Sequence, residues 1–176
     1  LIALITSCEE KKEAIKDDFS SPKSLFIDQI SSFTAGVISK TSPIKLKLSR
    51  NCRDSLSGKK VEDKIFSFSP EIKGNTYWED NRTLIFEPTD NLNSGQKYEA
   101  TANLKKLFPE ISKAKLEFKF IFQTLVQNDD VYIGGLQVYD KSDLTKVKIE
   151  GYLQTADFAA REDIQQMVSA TQNGNL

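Results

Sequence analysis

The sequence predicts an all-β protein built as a sandwich or barrel, and three observations carry the prediction. Apolar residues recur at every second position in several short runs. Clusters of Gly, Pro, Asn, Asp and Ser separate the runs. A single segment near the end has helical spacing. The 176 residues suit one domain of ordinary size plus part of a second.

The elements follow in chain order from about Ser32. Ile44-Lys45-Leu46-Lys47-Leu48 alternates cleanly, which puts Ile44, Leu46 and Leu48 on one face of a half-buried strand. Ile65-Phe66-Ser67-Phe68-Ser69-Pro70 repeats the pattern with Phe66 and Phe68 inward. Thr76–Glu79 and Arg82–Phe86 flank Asp80-Asn81, two residues that tolerate left-handed backbone angles, so a tight hairpin is expected there. Pro88 ends the second arm, because it has no amide hydrogen for the ladder. Asn93-Ser94-Gly95 makes the next turn, before a strand with Tyr98, Ala100 and Ala102 on one face. Leu116, Phe118, Phe120 and Phe122 then share a face opposite Lys115, Glu117, Lys119 and Gln123, with Ile121 as the exception. Aromatics in such positions are core residues, and Trp78 is assigned to packing on the sheet rather than to stacking on a ligand.

A second unit is expected from residue 125. Val131–Tyr139 reads as a strand with a glycine break at Gly134-Gly135, the mark of a bulge, and Lys146–Leu153 reads as another strand. Thr155-Ala156-Asp157 has the composition of a helix cap, for a helix from about Phe158 to Val168 that buries Phe158, Ile164 and Val168 and stops at Asn173-Gly174. Either this unit is an incomplete second β-domain or it is a small helical hairpin appended to the first.

Composition excludes several functions. The net charge is −1, without the basic excess of a nucleic-acid partner. The chain has no histidine, which removes the commonest general base and metal ligand, and its two cysteines, Cys8 and Cys52, cannot form a thiolate zinc site alone. Glu79, Asp80, Glu87 and Asp90 lack the dense oxygen-ligand loop that calcium requires. Asp17-Asp18 and Asp129-Asp130 are adjacent pairs that diverge on strands or lie solvated in loops. No catalytic residue, metal ligand, cofactor or small-molecule substrate is expected. Cys52 lies in the polar stretch Ser49–Ser55 between Arg50 and Arg53, but no base or second thiol is near in sequence.

The first residues carry a different signal. Leu1–Thr6 is apolar but far too short to span a bilayer, which takes roughly 20 residues. It reads as the end of a signal-peptide core (residues 1–7) in a chain already cut at its front. Leu4-Ile5-Thr6-Ser7-Cys8 resembles a bacterial lipobox, with Ile5 in the usual leucine place and small residues ahead of Cys8. The resemblance implies a diacylglyceryl group on Cys8 as the lipid attachment and a membrane as partner. Eight of the ten residues from Glu9 to Asp18 are charged, which fits a solvated tether over residues 8–31. Two other readings remain: Cys8 pairs with Cys52 in a disulfide, or residues 1–8 begin a buried strand.

Residues 33 to 124 resemble a bacterial immunoglobulin-like domain, of the kind at the front of bacterial alpha-2-macroglobulins. Gly36-Val37-Ile38-Ser39, Ser42–Leu46, Phe66–Gly74, Trp78, Leu84–Pro88, Leu92, Gly95 and Tyr98 carry the likeness. It covers more than half the chain and is moderately specific for fold and weakly for function. The resemblance implies an immunoglobulin-like β-sandwich over 32–124, followed at 125–176 by the start of a macroglobulin-like β-domain with one short helix. Gly151–Asp157 is similar to the segment that follows the first domain in Bacteroidetes-type members.

That family traps proteases, which would be the partners of the remainder of such a protein. Its thioester motif, Cys-x-x-Gln with Glu before the Gln, is absent: Cys8 precedes Glu9-Glu10-Lys11 and Cys52 precedes Arg53-Asp54-Ser55. The chain is therefore expected to supply a non-catalytic anchor and scaffold in the cell envelope. Glu9-Glu10 loosely resembles the acidic pair of surface-exported lipoproteins, and the periplasmic face and outer surface both stay open. The alternative is a surface adhesion or glycan-binding lipoprotein made of immunoglobulin-like domains.

Overall fold

A computed structural model describes residues 23–52, 57–113 and 116–167. It opens with a one-turn helix, α1 (Lys23–Phe26). Eight strands follow: β1 (Ile30–Phe33), β2 (Gly36–Ile38), β3 (Ile44–Leu48), β4 (Phe66–Ser69), β5 (Gly74–Trp78), β6 (Thr83–Pro88), β7 (Lys97–Asn103) and β8 (Glu117–Thr124). They form two four-stranded sheets, ordered β1-β3-β6-β5 and β2-β8-β7-β4. All pairings are antiparallel except β2 with β8, which run parallel.

This is the immunoglobulin constant-type arrangement of four strands against three, with β2 continuing the first strand onto the opposite sheet. The crossing occurs at Gly36, whose φ of 75° lies in the left-handed region that glycine enters without steric cost. Another hallmark of such domains is present at β7. The Tyr98 hydroxyl accepts the Asn93 N–H at 3.2 Å and closes the turn before the strand, as a tyrosine corner does. Ala100 stands two residues on, where antibody domains carry a cysteine.

The two sheets are joined mainly by aromatic rings. Phe33 of one sheet meets Phe118 and Phe120 of the other at 5.0 and 5.4 Å, and Phe86 meets Phe68 at 4.6 Å. Tyr98 and Phe122, cross-strand neighbours in register, stack at 5.3 Å. Ile44, Leu46, Leu48 and Leu84 fill the space between. Thr124 is the fully buried polar residue at the end of β8. Its hydroxyl accepts the Gln96 N–H at 2.9 Å and donates to the Asn93 carbonyl at 2.5 Å, so its burial leaves no unmet polar group.

The expected hairpin forms between β5 and β6 with Trp78 opposite Leu84. The Asp80 carboxylate accepts the N–H groups of Arg82 and Thr83 at 2.7 and 2.8 Å. These bonds, the Arg82 N–H foremost, hold its pKa below the ordinary carboxylate value. Pro88 is the last residue of β6, as its missing amide requires.

Two expectations need correction. A tether was expected to run to residue 31, but Phe26 and Ile30 are buried in the core and Phe26 packs edge-on against Phe118 at 5.2 Å. The short apolar run Leu25–Ile27 beside the charged stretch has no strand periodicity to announce this long-range contact, and the described fold begins at Lys23. The second correction concerns the helix. It spans Arg161–Met167 (α2), three residues later than expected at its start, and none of its described residues is buried. Phe158 precedes it and is half exposed. Val168, Asn173 and Gly174 lie outside the described residues.

After β8, the chain makes a long antiparallel hairpin, β9 (Asp129–Asp140) and β10 (Asp143–Thr155), in a two-stranded sheet of its own. Both strands are longer than their sequence pattern indicated. Asp140 and Asp143 brace the two-residue turn by accepting the N–H groups of Ser142 and Thr145. The register shifts between Glu150 and Gly151, opposite Gly134-Gly135, so the glycine break is a bulge.

Candidate functional site

Cys8, the residue expected to carry the lipid, lies outside the described residues. Three other places bear on function: the surface around Cys52, the faces of the β9–β10 hairpin, and the junction between hairpin and sandwich.

Cys52 is half-buried against the core, and its N–H donates to the Asn81 carbonyl at 3.0 Å. Its thiol points at the Leu107 carbonyl, 4.0 Å away. A groove of about 450 Å³ runs beside it, lined by Arg50, Asn51, Leu107, Phe108, Pro109 and Glu110. Arg50 is committed there, with its guanidinium 4.9 Å from the Phe108 ring centre and 2.8 Å from Glu110. Among the described residues, the groove therefore offers a thiol beside an already paired cation and anion.

The acidic residues weighed in sequence go separate ways. Glu79 pairs with Lys45 at 2.8 Å on the surface, an exposed bridge of small energetic weight. Asp80 is taken up by its own turn. Among the described residues, no group of three or more His, Cys, Asp or Glu side chains converges to hold a metal ion. Trp78 is buried in the sandwich, where the sequence put it.

The hairpin has two unlike faces. Its register sets Val131, Ile133, Leu136 and Val138 opposite Leu153, Gly151, Ile149 and Val147, and opposed residues share a face. Ile133, Leu136 and Ile149 are 72%, 69% and 62% exposed. The reverse face carries Tyr132 stacked on Tyr152 at 4.6 Å, Gln137 opposite Lys148, and a Lys148–Glu150 ion pair. An apolar sheet face of this extent is ordinarily packed against a second layer.

At the hairpin's base, Asp157 behaves differently from the helix cap its sequence suggests. One carboxylate oxygen accepts the Ser39 hydroxyl at 2.5 Å and the Phe158 N–H at 2.8 Å, and the other accepts the Lys40 N–H at 2.7 Å. Burial raises its pKa, but the Ser39 hydroxyl, the two N–H groups and the Lys40 charge outweigh that and hold it below the ordinary value. Nothing in the sequence marks this pairing, because the partners are 118 residues apart.

Among the described residues, no helix is long and apolar enough to cross a membrane. The class of protein that these features define is an all-β protein with an immunoglobulin-like sandwich and an appended β-hairpin. No family model and no curated protein matches the sequence. Among solved structures, the chain is similar to L,D-transpeptidase 3 from Mycobacterium tuberculosis, with 15% identity and a TM-score of 0.36 over 60% of this chain and 39% of that one. The same enzyme with a faropenem-derived adduct gives 16% and 0.37 over 61% and 41%. An L,D-transpeptidase from Mycobacterium tuberculosis H37Rv gives 14% and 0.35 over 60% and 42%. The chain thus spans about two fifths of the length of these proteins, and likeness at this level assigns it no reaction.

Proposed function

We propose that this chain is a non-catalytic anchor and scaffold segment of a cell-envelope lipoprotein of the bacterial alpha-2-macroglobulin kind, attached to the membrane through a lipid on Cys8. In that role it holds a protease-trapping body near the envelope. The observation that carries the reading is the pairing of a sandwich whose interior is filled by its own side chains with a hairpin whose apolar face lies open. Such a pair reads as successive β-units laid end to end, the second taking its other layer from elsewhere in the protein. The lipobox-like residues before Cys8 and the charged run after it support the anchor.

Metabolic labelling with a fatty-acid analogue tests the anchor. The wild-type chain is expected to take up label and to fractionate with membranes, and Cys8→Ala to lose both. Unchanged labelling in the variant excludes the anchor on Cys8. One observation favours a glycan-binding adhesin instead: the exposed Tyr132–Tyr152 pair offers ring faces of the sort that sugars stack on.

A further inference from the structure

We infer that Asp157 is a latch that fixes the β9–β10 hairpin to the sandwich, so that the two β-units turn as one body. Without it, they are joined through the short segment Leu125–Asn128 between β8 and β9. Units joined by one short link and a small interface move relative to each other by default. Asp157 supplies a second attachment, far from the first in sequence.

Both sides of the latch are anchored. On the sandwich, Ser39 and Lys40 follow directly on β2, and the flanking carbonyls are held: Ile38 accepts the Leu125 N–H at 2.8 Å and Lys40 accepts the Leu92 N–H at 2.9 Å. The Ser39 carbonyl accepts the Ser42 N–H at 3.0 Å, which closes the turn. On the hairpin, the Ala156 N–H donates to the Asn128 carbonyl at 2.9 Å, one step beyond the Thr155–Asp129 pair, so Asp157 directly follows the last rung of the ladder. Between these two fixed pieces the carboxylate accepts two hydrogen bonds from the sandwich and one from its own chain. Hydrogen bonds to an ionised acceptor are roughly twice as strong as neutral ones. The Lys40 ammonium lies 5.9 Å from the Phe158 ring centre and adds a contact on the same side. The inference rests on this geometry alone and is independent of whether Cys8 is lipidated.

Residual dipolar couplings on the whole chain test it. In the wild-type protein, amides of β3, β6, β7 and β8 and those of β9 and β10 are expected to fit one alignment tensor. In Asp157→Ala they are expected to need two, with the hairpin couplings reduced by about half or more as its orientation averages, while the thermal midpoint of the sandwich stays unchanged. Two tensors in the wild type, or one tensor in a folded Asp157→Ala, overturns the latch. If Asp157→Ala does not fold, Ser39→Ala provides the same readout: hairpin couplings that shrink support the latch, and unchanged couplings overturn it.

Discussion

Replacing Phe122 by Ala is expected to destabilise the sandwich by about 3–5 kcal/mol, the range for emptying a buried phenylalanine site. Phe122 is fully buried on β8, on the inner face of its sheet. Its ring lies 5.3 Å from Tyr98, nearly parallel, and its backbone pairs with Gly36 on one side and Tyr98 on the other. Strands flank it on both sides, so the cavity cannot collapse without breaking a ladder. The loss combines transfer free energy with unfilled space, and approaches the whole stability of an ordinary domain, about 5–15 kcal/mol. Urea unfolding followed by tryptophan fluorescence measures it. A lower midpoint with an unchanged slope is the expected result. A loss below about 1 kcal/mol would show that the two layers do not pack as described.

Trp78→Ala is expected to cost nearly as much, about 3 kcal/mol, and to leave glycan binding untouched. Trp78 is 7% exposed at the end of β5, opposite Leu84. The backbone wraps it further: its N–H donates to the Lys59 carbonyl at 3.1 Å and its carbonyl accepts the Gly58 N–H at 2.7 Å. The indole therefore closes the open side of the core at an edge strand. Calorimetric unfolding of the variant, paired with titration of a glycan panel, separates packing from recognition. Loss of stability without loss of any sugar affinity is the expected pair of results. A stable variant that loses a sugar ligand would favour the adhesin reading.

The strands of the sandwich were legible because one face of each is buried. Period two in Ile44–Leu48 and in Phe118–Phe122 states the burial pattern directly, and the structure shows those residues inside. Turn chemistry was legible for the same local reason at Asp80-Asn81, Gly95 and the Gly134-Gly135 bulge. What was not legible depends on partners distant in sequence. Phe26 and Ile30 lie in a segment without period-two alternation, and their burial depends on partners distant in sequence, Phe118 for Phe26 and Leu48 for Ile30. The passage of the first strand between sheets at Gly36, which makes β2 parallel to β8, has no periodic signature. Thr155-Ala156-Asp157 before a helical stretch has a helix cap's composition, yet the Asp157 carboxylate goes to Ser39 and Lys40. The single candidate site residue, Cys8, was read from a short motif and a charged run, and lies outside the described residues.

The sandwich fills its own core, whereas the β9–β10 hairpin leaves its apolar face exposed. Isolated two-stranded hairpins are marginal in water, whereas a filled two-layer core opens only by global unfolding. Native-state hydrogen exchange on the whole chain separates the two cases residue by residue. Amides of β3, β6, β7 and β8 are expected to share one large opening free energy, and those of β9 and β10 to exchange faster by about 100-fold or more. Protection of β9 and β10 equal to that of β7 and β8 would contradict the account, because the apolar face of the hairpin would then already be covered.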